Sequence, residues 1–421
     1  MKHHPRSSAL AHARELHQRI ITFDSHIDVL PDLGSPRRPA HMDGPGCFDL
    51  AKARRGMLSG AALVVHATAL RPGPTSAAAG RREQDERYRI ITRIAEDHPD
   101  RAGIARTPRQ FRRLVEEDRF AIVLSLQNTA PLHSLDDLDA WARRGIAQLA
   151  FTFIGTNQWA GSARPYPFIG PGPQPQGLSE LGRAAIPRLN DLGVLVDVSQ
   201  LSSPAFAEVL ELTRTPVVAS HSAVRALVDI DRNLTDGELR AMRDNGGVAQ
   251  IVGFGPYLRP LSDPMRRRLR AHWVAYGLAS PNSLADLLSV NDPTTADWGQ
   301  DTFDTFLHEF HEILELDRPE ADIADLVDAI DHAVTHAGID HVGIGSDFNH
   351  SSGVIGWMTV ADNLNVTAEL VRRGYTDQEI AQLWGENFLR VWQQALDAAD
   401  PARSPADGNG DDCGATGTTS A

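Results

Sequence analysis

Residues 194–222 read VLVDVSQLSSPAFAEVLELTRTPVVASHS, and this stretch decides the fold. Two short apolar runs, 194–198 and 216–220, flank a segment, 204–212, whose apolar residues follow helical spacing. Continuous apolar runs of this length are typical of strands buried on both faces, as in a parallel sheet covered by helices. The stretch therefore predicts a strand–helix–strand unit, with polar residues directly after each strand.

The same alternation extends through most of the chain. The further predicted strands are 20–23, 61–66, 121–126, 146–153, 248–254 and 341–345, and the clearest further helices are 85–96, 135–144 and 178–192. Eight strands alternating with helices predict an α/β fold, a (β/α)8 TIM-type barrel. Two capping boxes, Thr235 with Glu238 and Thr376 with Glu379, predict two further helix starts.

We expect one barrel domain over 20–400, preceded by a helical lead-in at 1–19. The alternation breaks between about 255 and 319, a proline-containing segment that reads as an insertion after the seventh strand and a lid over the site. The tail 401–421 is rich in Gly, Asp, Ser and Thr, which predicts disorder.

Composition excludes several classes of protein. The chain has 421 residues and a formal net charge of -14, which argues against nucleic acid as a partner. It contains two cysteines, Cys47 and Cys413, so neither a disulfide framework nor a cysteine-built zinc site is expected. The first 19 residues lack the apolar stretch of a secretory signal, and no run of about 18 apolar residues occurs. These features predict a cytoplasmic enzyme that does not contact a membrane.

The segment DSHID at 24–28 follows the first predicted strand. In an extended chain, residues i and i+2 project to the same side, so His26 and Asp28 can reach one ion together. Imidazole and carboxylate are suitable ligands for zinc and similar divalent metals. The alternative is an ordinary polar turn, since His-x-Asp is a common pattern.

Other polar residues follow other strands. Gln127 and Asn128 come after the third strand, Gln200 after the fifth, His221 after the sixth and Asp347 after the eighth. Active sites of (β/α)8 barrels lie at this end of the strands. A single histidine could be a core residue, but the convergence of His26, Asp28, His221 and Asp347 indicates a metal site.

Several further candidates are weaker. Arg232 and Asn233 lie shortly after His221, where a guanidinium could hold a substrate carboxylate, although a surface arginine is the more frequent case. The run HEFH at 308–311 is one residue short of the H-E-x-x-H zinc helix and reads as a solvated helix face. Ser220 and Ser222 lack the G-x-S-x-G surroundings of a nucleophile.

Taken together, the motifs resemble those of the membrane dipeptidase (renal dipeptidase) family of metallopeptidases. The resemblance runs from about residue 21 to 392. It is carried by DSHIDVLPD at 24–32, VDVSQ at 196–200, VVASHSAVRALVDIDRNLTD at 217–236, VGIGSDF at 342–348 and GENFLRVW at 385–392.

The resemblance implies a (β/α)8 barrel of the metallo-dependent hydrolase type. It also implies a two-zinc site that cleaves dipeptides by attack of a metal-bound hydroxide. By position, His26, Asp28 and Asp347 match ligands of one metal, and His221 matches a ligand of the other. Arg232 matches the arginine that binds the substrate carboxylate, with Asn233 beside it, and Asp347 is the candidate for proton transfer. A homodimer is the usual assembly of the family.

The chain departs from the family pattern at three positions. Gln127 stands at a bridging glutamate, Gln200 at a metal-binding histidine, and Ile154 near a histidine that assists the substrate carbonyl. A neutral amide is a poorer zinc ligand than a carboxylate or an imidazole. We therefore expect one tightly bound Zn2+, with Gln127 and Gln200 as weak ligands of a second ion that is weak or absent.

The sequence thus predicts a metal-dependent dipeptidase. Two alternatives stay open because the site is altered: an amidohydrolase or lyase acting on another small carboxylate-bearing amide, and a catalytically impaired binding homologue.

Overall fold

A computed structural model describes residues 5–68, 74–164, 176–279, 295, 298–316 and 320–402 of the chain. Nine strands form one sheet within these residues. They are β1 Phe23–Asp28, β2 Gly60–His66, β3 Ala102–Ile104, β4 Phe120–Gln127, β5 Ile146–Ala150, β6 Leu195–Asp197, β7 Val218–Ser222, β8 Val248–Val252 and β9 Val342–Gly345.

Eight of the strands form a parallel barrel in the order β1-β2-β4-β5-β6-β7-β8-β9. The ends of this path meet, because Asp28 N donates to Phe348 O at 3.0 Å and Asp347 N donates to His26 O at 2.9 Å. The short β3 pairs only with β4 and lies outside the barrel path. The predicted (β/α)8 barrel is confirmed, and β3 is an additional strand that the apolar pattern did not reveal.

Helices cover the outside of the barrel. They are α1 Pro5–His17, α2 Leu50–Arg55, α3 Pro74–Asp97, α4 Pro108–Glu116, α5 Leu135–Arg144, α6 Glu180–Leu192, α7 Ser203–Leu212, α8 Asp236–Asn245, α9 Gly255–Leu258, α10 Asp263–Ala275, α11 Gln300–Leu316, α12 Ile323–Ala337, α13 Asn363–Arg373, α14 Asp377–Ala381 and α15 Asn387–Asp397. A π-helical turn, Gln382–Glu386, joins α14 to α15. Among the described residues, no helix combines the length and apolar composition needed to cross a bilayer.

Local sequence signals set several of these helix ends. Thr235 and Thr376 each accept a hydrogen bond from the backbone of the third helical residue, and the glutamate there closes the box. Both predicted capping boxes are confirmed. α5 spans the predicted 135–144, with Ser134 capping its start and Gly145 in the left-handed region at its end.

The first strand lies further along the chain than predicted. We expected it at 20–23, with DSHID following it, whereas β1 spans Phe23–Asp28 and contains those residues. The strand is buried along its whole length. Ser25 and Asp24 of this strand find hydrogen-bond partners on other segments of the chain. The apolar pattern alone therefore underestimates the length of the strand.

The segment 255–319 lies after β8, the seventh strand of the barrel path. Its described part forms α9, α10 and α11. Phe303, Phe306 and Leu307 of α11 pack with Trp273 of α10 and with Ile154 in one apolar cluster. This cluster anchors the inserted helices to the loop after β5. The predicted tail 401–421 lies outside the described residues except for its first two.

Candidate active site

Four of the residues predicted to hold metal converge at the mouth of the barrel. His26 Nε2 lies 3.9 Å from Asp28 Oδ1 and 3.8 Å from Asp347 Oδ1. The ring of His221 stacks on that of His26, with 3.8 Å between their centroids. All four are buried. Residues from β1, β7 and the loop after β9 therefore form one cluster.

Two of the residues at this end have strained backbones. Asp347 has φ 59° and Gln200 has φ 70°, both in the left-handed region that non-glycine residues rarely adopt. Each follows directly on a strand or its short extension, where the chain turns sharply. Strained conformations of this kind cluster at functional sites, where surrounding contacts hold them in place.

Asp24 fixes β1 against the loop after β9. Its Oδ1 accepts hydrogen bonds from the backbone nitrogens of His26, at 3.2 Å, and Ser346, at 2.9 Å. Burial raises the pKa of Asp24 to about 6, although these hydrogen bonds oppose the shift. Asp24 thus positions the two segments that carry His26 and Asp347.

A hydrogen-bonded chain fixes the tautomer of His221. Ser220 Oγ lies within hydrogen-bond distance of both Asp197 Oδ2, at 2.5 Å, and His221 Nδ1, at 2.6 Å. Since a carboxylate can only accept, the hydroxyl donates to Asp197 and His221 Nδ1–H donates to the hydroxyl. His221 Nε2 is then an unprotonated acceptor that faces the cluster.

The side-chain amides of Gln127 and Gln200 both lie within hydrogen-bond distance of His221 Nε2. Gln200 Nε2 lies 3.1 Å and Gln127 Nε2 lies 3.4 Å from His221 Nε2. Both predicted weak ligands therefore lie in the cluster, but they present N–H groups to the imidazole nitrogen. The imidazole and the two amides thus form one hydrogen-bonded group.

His26, Asp197 and His221 also offer ligand atoms within 4.8 Å of one another. Asp197 is already engaged, because its Oδ1 accepts from the backbone nitrogens of Ser199 and Ser220, each at 3.0 Å, and its Oδ2 from the Ser220 hydroxyl. Its role is to orient His221 through Ser220.

Burial dominates the electrostatics of the cluster. It lowers the pKa of His26 to about 3 and that of His221 well below its ordinary value. Both imidazoles are therefore in the neutral form, which is the form that can bind a metal ion. Burial also raises the pKa of Asp347 to about 7, with Asp28 contributing to the rise. Asp28 differs from Asp347: although burial opposes the shift, its contacts with His66 and His350 lower its pKa well below the ordinary value.

Two histidines in the cluster escaped the sequence analysis. His66, the last residue of β2, has Nδ1 3.3 Å from Asp28 Oδ1, and His350 Nδ1 lies 3.2 Å from Asp28 Oδ2. The position of His66 at the end of a predicted strand is the sequence feature that could have indicated a site residue. His350 follows Asp347 by three residues, in a loop that sequence alone does not place.

A pocket opens beside the cluster. Its polar lining includes Arg232, Asp347, His350 and Gln200, and its apolar lining includes Phe153, Phe254, Tyr257 and Phe310. A concave site in which polar groups converge beside an aromatic wall is typical of binding sites for small molecules.

Arg232 is held in a fixed orientation at the pocket. It is 5% exposed, its Nη1 donates to Ser222 Oγ at 2.9 Å, and its Nη2 donates to the His221 carbonyl. The guanidinium lies 5.3 Å from the ring centre of Tyr257. The interpretation of Arg232 as a surface arginine is therefore wrong, because its side chain is buried and lines the pocket.

Asn233 makes contacts with the backbone, and its role in substrate binding stays a prediction. Its side-chain nitrogen donates to the backbone carbonyls of Val228, at 3.0 Å, and Tyr257, at 2.9 Å. It therefore ties the Arg232 loop to α9, which carries Tyr257, and positions the pocket wall.

The segment HEFH at 308–311 is only partly a solvated face, so that interpretation is wrong for two of its residues. His308 is exposed, but Phe310 and His311 line the pocket. His311 contacts the ring of His350 at 5.1 Å between centroids. The inserted helix α11 thus forms a wall of the site, which helix periodicity alone could not reveal.

A separate group of metal-type donors lies on the outside of the barrel. His332 Nε2 of α12 lies 2.7 Å from Asp236 Oδ1 of α8, and His336 lies nearby. Arg240 lies 3.2 Å from His336 Nδ1, which places a positive charge beside this group. It reads as a surface ion pair between two helices.

Comparisons with known proteins agree on one family. The family model described as membrane dipeptidase (peptidase family M19) matches residues 10–406. A crystal structure of the probable dipeptidase PvdM from Pseudomonas aeruginosa is 47% identical and has a TM-score of 0.88, covering 93% of this chain and 100% of that one.

More distant relatives share the fold. Dipeptidase tcpJ of Claviceps purpurea is 25% identical over 326 residues, which are 76% of this chain. The match spans 62% of the length of that relative. A metallopeptidase from Rhodobacter sphaeroides, solved with a phosphinate mimic of L-Ala-D-Ala, is 19% identical with a TM-score of 0.66 over 89% of this chain and 99% of that one.

Proposed function

This chain belongs to the membrane dipeptidase family of metallopeptidases, and from this premise we propose that it is a metal-dependent hydrolase that cleaves dipeptides. The observation that carries the proposal is the convergence of His26, Asp28 and Asp347 beside a pocket with a buried arginine. The metal-binding residues and the substrate-binding residue face the same space.

His26 has the spacing of a shared metal ligand with each of the two carboxylates. Two atoms that each bind one zinc ion at 2.0–2.2 Å can lie at most about 4.4 Å apart. The distances from His26 Nε2 to Asp28 Oδ1 and Asp347 Oδ1, 3.9 and 3.8 Å, are both below this limit. The two carboxylates lie farther from each other, so a shared ion would have to draw them together. Asp28 Oδ1 is also buried without a hydrogen-bond partner. We infer that His26, Asp28 and Asp347 hold Zn2+.

A zinc ion at such a site acidifies a water molecule and polarises a carbonyl group. Around it, the residues of the chain bind and orient the substrate. Arg232, fixed by Ser222 and the His221 carbonyl, forms a charge-assisted hydrogen-bond pair with the free carboxylate of the dipeptide. This places the scissile amide toward the cluster.

Asp347 is the residue that moves the proton. Its carboxylate faces both His26 and the pocket. In that position it accepts a proton from the attacking water and returns it to the leaving amine. The backbone of Asp347, in the left-handed region, directs the carboxylate to this point.

We propose that one ion is bound tightly and that the second position of the family is lost. His221 Nε2 is capped by the amides of Gln127 and Gln200, and neither amide supplies negative charge. A second cation would have to break both contacts and would gain only neutral ligands. The amide caps therefore favour a single-metal centre.

Metal analysis combined with a dipeptide panel tests the proposal. The purified protein, given zinc and then freed of excess ions, should retain about one zinc per chain and release amino acids from dipeptides. The variant Asp347→Asn should fold, as judged by circular dichroism, and lose turnover. Two tightly held ions per chain would contradict the single-metal centre.

The panel also separates the alternatives. Metal binding without dipeptide cleavage would favour hydrolysis or elimination on another small carboxylate-bearing amide. If the protein neither bound metal nor released amino acids, the proposal would fail and a binding homologue without turnover would remain.

A further inference from the structure

Two arginines, Arg164 and Arg232, line the pocket beside the cluster. Arg164 is 8% exposed, so it is buried in the same way as Arg232. Arginine stays protonated in proteins, and both side chains therefore bring a full positive charge into the site. Of the described residues that line the pocket, only Asp347 is a carboxylate. The described lining thus carries more cationic than anionic side chains.

The backbone around Arg164 is anchored by hydrogen bonds. The carbonyl of Arg164 accepts from Gly155 N at 2.9 Å, and its own nitrogen donates to Ser162 Oγ at 3.1 Å. The nitrogen of Ala163 donates to the carbonyl of Gln200 at 2.8 Å. These bonds tie the segment that carries Arg164 to the loop after β5 and to Gln200, which lines the same pocket. The arginine is thus held at the pocket by backbone that is fixed on both sides.

The charge of Arg164 acts on other residues of the pocket wall. Burial is the largest cause of the lowered pKa values of Arg232 and His311, and the positive charge of Arg164 adds to both shifts. Because the interaction between charges weakens with distance, these effects place the guanidinium of Arg164 near both residues. Two cations buried close together repel each other, and a bound anion would offset that repulsion.

The proposed function uses only one of the two arginines. Arg232 binds the free carboxylate of the dipeptide, and Asp347 lies beside His26 in the proposed metal site. A dipeptide with neutral side chains then brings no second anionic group to Arg164. An Asp or Glu side chain does bring one, and its two oxygens match the parallel N–H groups of a guanidinium.

We propose that the preferred dipeptides carry a second carboxylate, on an Asp or Glu side chain, and that Arg164 binds this carboxylate. The proposal rests on the proposed function, because it names the substrate class of the same pocket. Arg164 is then a specificity-determining residue, since it distinguishes an acidic side chain from the amide of the same shape. Arg232 keeps its role at the terminal carboxylate, which every dipeptide has.

Dipeptide pairs that differ only in an acid or an amide test the preference. Ala-Glu is compared with Ala-Gln, and Glu-Ala with Gln-Ala, so that the acidic side chain stands in either position. We expect kcat/KM of the zinc-loaded wild type to be roughly 10–150-fold higher for the acid than for the amide in at least one pair, the range for one hydrogen bond to a charged group, with most of the difference in KM. Equal kcat/KM values within both pairs would overturn the proposal.

Variants of Arg164 assign the preference to this residue. Arg164→Met removes the charge at similar length, so it should cleave acid and amide equally well, with a rate on the amide near that of the wild type. Arg164→Lys should recover part of the preference, because it restores the charge without the planar fork. The matched control is Arg225→Met, which removes an arginine paired with Asp229 and Asp231 and should keep the wild-type preference. If Arg164→Met slowed acid and amide by the same factor, the proposal would fail.

Binding without turnover separates this proposal from the proposed function. Calorimetric titration of Asp347→Asn with each dipeptide pair, alone and combined with Arg164→Met, should show tighter binding of the acid that Arg164→Met abolishes. If the wild type cleaves dipeptides but acid and amide bind and react alike, only the role of Arg164 fails. If the wild type cleaves no dipeptide, the proposed function fails, and equal binding of acid and amide would then overturn the role of Arg164 as well. Circular dichroism and thermal melting of each variant exclude loss of the fold as the cause.

Discussion

Gln127 and Gln200 act on the same atom. Both turn their side-chain nitrogens toward His221 Nε2, while Ser220 and Asp197 fix the opposite side of the imidazole. The lone pair that would bind a metal is thus used by hydrogen bonds. At the scale of single residues, the imidazole of His221 is thus held by hydrogen bonds on both of its nitrogens.

Restoring the acidic and imidazole side chains should restore the second ion. We expect the double variant Gln127→Glu with Gln200→His to hold about two zinc ions per chain, because a carboxylate and an imidazole replace the two neutral amides. Metal analysis after removal of excess zinc measures this. The single variant Gln200→Asn, which keeps an amide, is the control and should hold about one ion.

Arg232 should contribute mainly to substrate binding. Hydrogen bonds to charged groups contribute about 1.5–3 kcal/mol, so we expect Arg232→Ala to raise KM for dipeptides roughly 10–150-fold with a smaller change in kcat. The matched substrate control is a dipeptide with an amidated C-terminus, on which both proteins should perform alike. Equal KM values for the free dipeptide would refute the carboxylate role.

At the scale of elements, Ile154 in the loop after β5 packs against the inserted helix α11. Ile154 packs in an apolar cluster with Phe303, Phe306 and Leu307, and the same helix presents His311 to the pocket. A polar residue at 154 would have to be desolvated against this cluster. The apolar residue in the β5 loop therefore anchors the helix that completes the pocket.

His311 should contact the substrate. Burial lowers its pKa well below the ordinary value, so it is a neutral imidazole that can donate to or accept from a bound amide. We expect His311→Ala to reduce kcat/KM about tenfold, the effect of losing roughly one hydrogen bond, with unchanged zinc content. His308→Ala, one turn away and exposed, is the matched control and should behave as the wild type.

The N-terminal helix α1 should make stability depend on pH. His17 hydrogen-bonds Thr367 of α13 at 2.6 Å, and burial lowers its pKa to about 4. The unfolded chain, with a histidine pKa of about 6.5, takes up the proton first as the pH falls. The stability present above pH 6.5 should therefore decrease by about 3 kcal/mol on going down to pH 4.

Denaturant unfolding at several pH values measures this decrease. The variant His17→Gln keeps a donor for Thr367 but does not titrate in this range, so its stability should fall less between pH 6.5 and 4. Parallel curves for the two proteins would show that His17 is not the cause.

The proposed metal site spans the closure of the barrel, which is a property of the whole molecule. His26 and Asp28 lie on β1 and Asp347 lies in the loop after β9, and backbone hydrogen bonds join these segments. An ion bound across this seam would stabilise only the closed barrel, since the unfolded chain does not bring residues 320 positions apart together.

Removal of the metal should therefore lower the melting temperature. A ligand present at 100 times its Kd stabilises the folded state by about 2.7 kcal/mol, so chelation should produce a measurable fall in Tm that zinc reverses. The variant Asp28→Asn should show little response to the chelator. The same Tm for wild type with and without chelator would contradict metal binding at the seam.

Much of the site could be predicted from local pattern, and the remainder depended on packing. Asp347 and His221 were found because polar residues after buried strands must meet at one end of a barrel. His66 looked like the last residue of an apolar strand, and His311 looked like part of an exposed helix. Arg232 could be read as a surface residue, because no sequence pattern states whether a loop folds inward.

The sequence by itself determined the alternation of strands and helices, the barrel, the family and the altered ligands Gln127 and Gln200. Only the tertiary structure decided which further imidazoles face Asp28, which face of α11 lines the pocket and where the amides of the two glutamines point. Periodicity is a local property that adjacent residues carry, whereas contacts between distant segments arise only when the barrel closes.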